Sequence, residues 1–505
     1  MCGIAGILGW KNTNTIARML DKQKHRGPDG RGIWVLPHQR FSVGHDRLAI
    51  IDVTTGMQPT SNEDNSLWLV MNGEIYNYES LREQLEDTHT FRSQSDSEVV
   101  LHLFEDRGPS CVEKLCGMYS FAIWGVDLGL YLARDPLGIK PLYYGYDKEN
   151  NFYFSSEIKA LIDHVSTIKE FPNGFYCLNS NNFVKYYEVP TPQKDLNSPQ
   201  EVMNALDHAL NEAVKNRLIA DVPVGTFLSG GLDSSLITKI AKKYTDKPLN
   251  SFSIGLESSS DLLNARKVAK HIGTLHHEYI LTPEDIYQSL PHIIKFLESC
   301  DPALVRSSIP TYFVSKLASQ YVKVVLSGEG ADELFAGYHY LEDFEKGKGL
   351  SNELWEITTA LHNTNLQRVD RMTMAHGLEA RVPFLDLKMI ELAFKVNPLL
   401  KYREKGKWIL RKLAERYLPP SIAWRSKEKF AIGTGIGSLL QNYAENTISD
   451  EELTKEKSLT GYSFRSKEEY LYWSLFKVHY GREDILDIMG QSRSLNPGEH
   501  WISAL

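Results

Sequence analysis

Hydrophobic and polar positions along the chain fall into two textures, which change near residue 190. Before that point short runs rich in β-branched and aromatic residues, each bounded by Gly, Asp or Asn, predict strands: GIAGIL, SVGHDRLAIID, SLWLVMNGEIYN, MYSFAIWGVD, GLYLARD and NFYFSSE. Within the third of these, LWLVM reads as the strand and Asn72-Gly73-Glu74 as the turn that follows it. Two stretches are helical instead. One spans Thr15–His25; the other runs from Ser95 to Arg107, with Val99, Val100, Leu103 and Phe104 at helical spacing. Many strands with a few helices predict an α+β unit of sheets packed face to face under helices.

The segment VPTPQKDLNSPQ (189–200) is rich in Pro, Asn and Ser and reads as a linker. Beyond it, helical patterns such as EVMNALDHALNEAVKNRL alternate with short apolar strands, TFLSG, LNSFSIG and VKVVLSG. That alternation predicts an α/β unit, a parallel sheet with helical crossovers. The expected organisation is therefore residues 1–190, residues 200–490 and a loosely held polar tail, 491–505. The run ISDEELTKEK (448–457) reads as a solvated helix face.

Composition narrows the function. A chain of 505 residues with 42% hydrophobic and 24% charged positions is a globular protein of about two domains. Its net charge of −8 argues against a nucleic-acid partner, while leaving room for a small anion in a local basic pocket. The five cysteines form no CxxC pair, which argues against structural zinc or a disulfide scaffold and for reduced thiols in the cytoplasm. No apolar run reaches the ~18 residues of a membrane span, and MCGIAGILGW has neither the basic flank nor the apolar core of a signal peptide.

Cys2 is the first candidate for chemistry. A small side chain at this position permits removal of Met1, which leaves an α-amine and a thiol on one residue. Their reference pKa values, ~7.7–8.0 and ~8.5, let them share a proton near neutral pH, with the amine as built-in base. The thiolate can then attack a carboxamide carbon and expel ammonia. Asn72 and Gly73 can supply donors for the oxyanion so formed. Arg47 can clamp an α-carboxylate, and Glu74 and Asp96 can hold an α-ammonium. The structural alternatives are a buried small residue at 2, a hairpin turn at 72–74, an ion pair at Arg47 and a helix cap at Asp96.

A second constellation is FLSGGLDSSLITKIAKKY (227–244). A strand ends in Ser229-Gly230-Gly231, and a helix opens with Asp233, Ser234 and Ser235. Adjacent glycines let backbone N–H groups converge on an anion, and the helix N-terminus adds its dipole and hydroxyls. The GxxxxGK[ST] spacing of a Walker A loop is absent. VKVVLSGEGADELFAGY (322–338) repeats the logic at Ser327-Gly328-Glu329-Gly330, expected at the same carboxyl edge of the sheet. Asp233 and Asp332 can then share a Mg²⁺. Glycine turns before capped helices are the alternative for both.

In sequence order, MCGIAG, HRGPDG (25–30), HDRLAIID (45–52), MNGEIYN (71–77), SDSEVVL (95–101) and ARDPLGIKPLYY (133–144) resemble the class II glutamine amidotransferases. That resemblance implies an αββα N-terminal-nucleophile (Ntn) hydrolase sandwich with Cys2 as nucleophile and Asn72 and Gly73 as oxyanion hole. It also implies a glutamine site of Arg47, Leu48, Ile50, Ile51, Asn72, Gly73, Glu74 and Asp96. SGGLDSS resembles the PP-loop of ATP pyrophosphatases, which implies a doubly wound, Rossmann-like parallel sheet with added helices and cleavage of ATP to AMP and pyrophosphate.

Joined in this order, and with SFSIGL (251–256), LQRVDRMTMAHGLEARVPFLD (366–386) and AWRSKEKF (423–430), the chain is similar to the glutamine-hydrolysing asparagine synthetases from residue 1 to about 480. The resemblance implies the substrates glutamine, ATP and aspartate, a β-aspartyl-AMP intermediate, Mg²⁺, and a homodimer. Phe227 or Leu228, Ile254, Ser327 and Gly328 would contact the nucleotide, Lys427 would neutralise pyrophosphate, and Glu329 would govern the acyl-adenylate. Arg381 and Arg425 either assist or are structural. Where that family has adjacent threonines before an arginine, this chain has Ala303 and Leu304; Arg306 remains for the acceptor carboxylate, with Ser307 or Ser308 as substitute donors. A related ATP-dependent amidotransferase or ligase acting on another carboxylate is the alternative.

Overall fold

The computed structural model describes residues 1–505 except 10–12, 37–39, 194, 258, 345–348, 426–435, 461–463 and 491–505. Lys427 and the tail lie outside the described residues.

Among the described residues, twelve strands build the N-terminal half: β1 (Cys2–Leu8), β2 (Gly30–Leu36), β3 (Phe41–Arg47), β4 (Thr60–Ser61), β5 (Leu67–Ile75), β6 (Gly117–Gly125), β7 (Gly129–Arg134), β8 (Tyr143–Tyr146), β9 (Phe152–Ser155), β10 (Thr167–Glu170), β11 (Phe175–Leu178) and β12 (Asn182–Lys185). They form two six-stranded sheets, in the orders β10-β8-β9-β1-β3-β2 and β12-β11-β7-β6-β5-β4. All pairings in both are antiparallel.

Strand alternation explains the layers. Ile4, Val43 and Phe154 from the first sheet meet Val70, Ala122 and Leu132 from the second in one buried cluster. The alternate residues point away from it. Ala5 and Ile7 pack under Ile16, Met19 and Leu20 of helix α1 (Thr13–Gln23). Leu69 and Met71 pack under helices α2 (Tyr78–Leu85) and α3 (Asp96–Arg107), through Leu81, Leu85, Val99, Val100 and Leu103. The result is the four-layer αββα sandwich.

Two local readings are corrected. Asn72-Gly73-Glu74 is not a turn: β5 continues through Ile75, with Asn72 opposite Ser120, Gly73 opposite Tyr119 and Glu74 opposite Met118. The turn-forming pair NG is overridden because Gly73 fits a close strand contact, where an added Cβ would lie 2.3 Å from the Met118 carbonyl oxygen. Nor does Asp96 cap α3. Ser95 does, accepting from the Ser97 N–H, and Asp96 is the first helical residue.

The C-terminal half carries a parallel sheet of β13 (Val224–Phe227), β14 (Asn250–Gly255), β15 (Leu275–Ile280), β16 (Val324–Leu326) and β17 (Glu379–Arg381), in the order β15-β14-β13-β16-β17. Helices cover both faces. Val324 and Leu326 pack with α4 (Pro199–Asn216) and α5 (Leu232–Lys243). Val325 and Phe252 pack with α7 (Pro283–Leu297) and α8 (Pro302–Ala318), while α6 (Ser260–Ile272) follows β14. The strand order reverses between β13 and β16, the switch point at which such sheets bind ligands. Among the described residues no helix is long and apolar enough to cross a membrane.

Candidate active sites

Cys2 opens β1 directly opposite Arg47 at the end of β3. Its N–H donates to Asn72 Oδ1 at 2.9 Å, which brings the front edge of β5 against the start of the chain. The other end of that amide, Asn72 Nδ2, is buried and has no hydrogen-bond partner. Glu74 Oε2 is likewise buried without one. A buried donor and a buried acceptor left open on one strand are costly unless something fills the space between them. Leu48, Ile50 and Ile51 are buried in one apolar cluster with Met1 and Tyr76, and the Leu48 N–H donates to the Met1 carbonyl at 3.1 Å.

Arg47 turns its guanidinium onto backbone carbonyls, donating to Val53 at 3.2 Å, Ile51 at 3.3 Å and also Asp52. Asp96 Oδ2 accepts from the Ile75 N–H at 2.8 Å, one residue beyond Glu74. Burial drives the electrostatics here. It pushes the Cys2 thiol up against the pull of the Met1 ammonium. It also raises Asp96 to about 6, against the Ile75 N–H. Burial, Glu379 and Asp96 together hold Glu74 well above the ordinary carboxyl range.

The other half of the chain reaches the start of β1 through β17. The Met1 ammonium pairs with Glu379 on β17 at 3.0 Å, both fully buried. Arg381, two residues on, donates to Glu379 at 2.6 Å and faces Glu74 at 3.6 Å. Arg381 stands at the junction of the two halves: its guanidinium faces Glu74, and its carbonyl accepts from the Ser327 N–H.

At the switch point the loop after β13 is closed by hydroxyls. Ser229 Oγ lies 3.2 Å from Ser234 Oγ and accepts from the Gly231 N–H at 3.3 Å. Gly230 has φ of +70°, and a Cβ there would meet Ala265 N at 2.5 Å. Its carbonyl accepts from Arg425 at 3.1 Å, an arginine also paired with Asp261, so Arg425 braces the loop. Phe227 ends β13, and the N–H of Leu228 just after it donates to Phe252 on β14, the strand that also holds Ile254. The loop after β16 lies against the first: a Cβ on Gly328 would sit 3.0 Å from Asp233 Cβ, and the Ser327 N–H donates to the Arg381 carbonyl at 2.9 Å. Ser235 Oγ is buried without a partner.

Asp233 and Asp332 are brought together by Lys407, whose Nζ lies 2.5 Å from Asp233 Oδ2 and 2.7 Å from Asp332 Oδ1. Burial acts to lower the Lys407 pKa, but the two carboxylates outweigh it and hold the ammonium above its ordinary value. The second oxygen, Asp233 Oδ1, is buried with no partner.

Glu329 accepts from Arg368 Nη2 at 2.6 Å, and Arg368 Nε is buried and unpartnered. Arg306 on α8 is met by Glu468, donating through Nε at 2.6 Å and also through Nη2. Ser307 spends its hydroxyl on the Ala303 and Leu304 carbonyls, whereas Ser308 Oγ is buried with no partner.

Residues 1–211 match the glutamine amidotransferase domain model, and residues 205–353 and 342–472 the asparagine synthase model. A probable glutamine-hydrolysing asparagine synthetase of Dictyostelium discoideum is 38% identical over 96% of this chain and 95% of its own length. Asparagine synthetase B of Escherichia coli (strain K12) is 38% identical, covering 94% of this chain and 91% of its own. This chain belongs to the glutamine-hydrolysing asparagine synthetase family. A Lotus japonicus relative of the same description is 38% identical over 94% of the chain and 86% of its own.

Four charged side chains that the sequence does not single out pair with the candidate residues: Lys407 with Asp233 and Asp332, Arg368 with Glu329, Glu379 with the Met1 ammonium and Glu468 with Arg306. Lys407 lies in KYREKGKW, a charged run that reads as surface. Only Gly337, where a Cβ would meet both Asp332 Oδ1 at 1.9 Å and Lys407 Cε at 2.2 Å, marks the close approach that places it inside.

Proposed function

We propose that the chain makes asparagine from aspartate, glutamine and ATP in two coupled steps. In the first half, residues 1–190, loss of Met1 frees the Cys2 amine, which takes the thiol proton. The thiolate attacks the glutamine carboxamide carbon, Asn72 Nδ2 and the Gly73 N–H bind the oxyanion, and ammonia leaves. Water then cleaves the thioester to glutamate. Arg47 takes the substrate α-carboxylate, Glu74 and Asp96 its α-ammonium, and Leu48, Ile50 and Ile51 line the chain.

In the second half, residues 200–490, a carboxylate oxygen of the aspartate side chain attacks the ATP α-phosphorus and pyrophosphate leaves. Ammonia then attacks the acyl carbon of β-aspartyl-AMP and AMP departs. Ser229, Gly230, Gly231, Ser234, Ser235, Ser327 and Gly328 cradle the phosphates, with Phe227, Leu228 and Ile254 at the nucleotide and Lys427 on the pyrophosphate. Glu329 accepts the proton that the ammonia nitrogen sheds as it adds to the acyl carbon, and Arg306 is the acceptor-binding arginine. Asp233 and Asp332 would hold Mg²⁺; Lys407 takes one oxygen of each, and the second oxygen of Asp233, Oδ1, is a buried hard donor without a partner, which suits that ion. When bound, Mg²⁺ neutralises phosphate charge. We place the enzyme in the cytoplasm as a homodimer, on family analogy.

The observation that carries this reading is the Asn72 amide: one end fixes the Cys2 backbone and the other is a buried donor without a partner. An acceptor screen by pyrophosphate release tests the substrate. Aspartate should support release and its one-carbon-longer homologue should not; release that ignores aspartate contradicts the proposal.

A further inference from the structure

Four ligand-type side chains meet away from both sites. Glu63 follows β4, His89 lies between α2 and α3, and His102 and Glu105 stand one turn apart on α3. Both imidazoles turn Nδ1 toward the same two carboxylates. His89 Nδ1 is 3.3 Å from Glu63 Oε1 and 3.7 Å from Glu105 Oε2; His102 Nδ1 is 3.6 Å from Glu63 Oε2 and 2.8 Å from Glu105 Oε2. One ligand atom from each residue falls within 4.8 Å of all the others. A tetrahedral Zn²⁺ with bonds of ~2.0–2.1 Å needs its ligand atoms ~3.3–3.4 Å apart, in the middle of the observed separations.

Three further observations separate this cluster from a solvated patch of ion pairs. His102 is buried, with its side chain only 1% exposed, unlike the imidazole of a solvated patch. Each ligand is also aimed by a second group. Asp106 holds His89 Nε2 at 3.1 Å, and Glu98 faces His102 Nε2 at 3.6 Å, the carboxylate–histidine arrangement that orients metal-bound imidazoles. The Thr90 N–H donates to Glu63 Oε1 and Asn62 Nδ2 to Glu105 Oε1, which fixes both carboxylates. Finally, charge is out of balance: four carboxylates surround two imidazoles, and the nearby Arg92 donates to Ser61 Oγ and the Glu63 carbonyl instead.

We propose that Glu63, His89, His102 and Glu105 bind a structural Zn²⁺ that fastens α3 to the segments before it. Four protein ligands close the coordination sphere, so the site holds structure and does no hydrolysis. Nitrogen and oxygen donors in a tetrahedral set favour Zn²⁺ over Mg²⁺ or Ca²⁺. The cysteine pattern gave no sign of it because the site uses no cysteine. Its reach extends to the thiol pocket, since the helix it anchors begins with Asp96.

The test uses the full-length protein, freed of metal with a chelator and titrated with Zn²⁺ alone. Metal retained after gel filtration, thermal unfolding and the visible spectrum of the Co²⁺-substituted protein are the readouts. The expected result is one retained equivalent, a higher Tm with Zn²⁺, and the absorption of four-coordinate Co²⁺. His89→Gln and Glu63→Gln should lose that equivalent while a Cys2→Ala protein keeps it. Asp106→Asn, a change at a half-exposed position that leaves the fold intact, should weaken affinity by ~10–100-fold. No retained Zn²⁺, retention undiminished in both ligand variants, or unaltered affinity in Asp106→Asn overturns the proposal.

Discussion

Asp96 is held in a state that costs the fold and serves the site. Burial raises its pKa from 3.8 to about 6, opposed by the Ile75 N–H. The sign follows directly: this group favours the folded state below 3.8, and that contribution is lost as pH rises through about 6. At one unit per ~1.4 kcal/mol, ionised Asp96 costs on the order of 3 kcal/mol above that range. Asp96→Asn should therefore raise Tm at pH 8 relative to the parent, with the gain shrinking toward pH 5. Under the proposed reaction it should also remove the fall in glutamine kcat/KM below pH 6. Lys407 is the counterpart at the ATP edge. Lys407→Met leaves Asp233 and Asp332 facing each other without their shared cation, and should abolish aspartate-dependent pyrophosphate release while glutaminase activity persists.

These two residues also divide what was legible in the sequence. Cys2, Asn72, Glu74 and Asp96 were readable because their neighbours in the chain form motifs. Lys407 and Glu379 were not: Lys407 stands in a charged run, and only tertiary packing brings Glu379 to the Met1 ammonium.

β5 makes the same point for an element. Its residues 72–74 carry a turn signal, yet pairing with β6 keeps them extended and aims Asn72 at Cys2. Gly73→Ala would place a methyl 2.3 Å from the Met118 carbonyl oxygen and 2.6 Å from Tyr119 Cα. Overpacking of this kind costs ~1–3 kcal/mol. The variant should lower Tm and lose glutamine hydrolysis, with ammonium-dependent synthesis retained. By contrast, β13 and β16 were foreseen with their loops, since an apolar strand ending in SGG or SGEG carries its own stop signal. β17 was missed: a three-residue strand reading Glu-Ala-Arg has no apolar pattern, and its charges are satisfied by Met1 and Glu74 across the junction.

For the whole molecule, that junction is ionic and buried. Arg26 donates to Asp370 at 2.8 and 3.0 Å and to Glu157 at 2.9 Å; Arg371 and Lys159 share Glu298 at 2.9 and 3.1 Å. Burial acts against the ionised forms of Asp370 and Glu157, but the cations around them prevail and depress both pKa values. Their stabilising contribution is therefore present above the ordinary carboxylate range and lost in acid. Asp370→Ala strands part of the Arg26 charge, and losses of this kind run to ~3–5 kcal/mol. It should lower Tm and raise the glutamate formed per asparagine, as the two halves lose their fixed geometry.

The central claim is that nitrogen released at Cys2 reaches a carboxyl activated at the parallel sheet. Amide-¹⁵N glutamine supplied with aspartate and Mg-ATP measures it directly. The expected result is ¹⁵N in the asparagine amide, with one AMP and one pyrophosphate per asparagine. Unlabelled asparagine, or ADP in place of AMP, would contradict it.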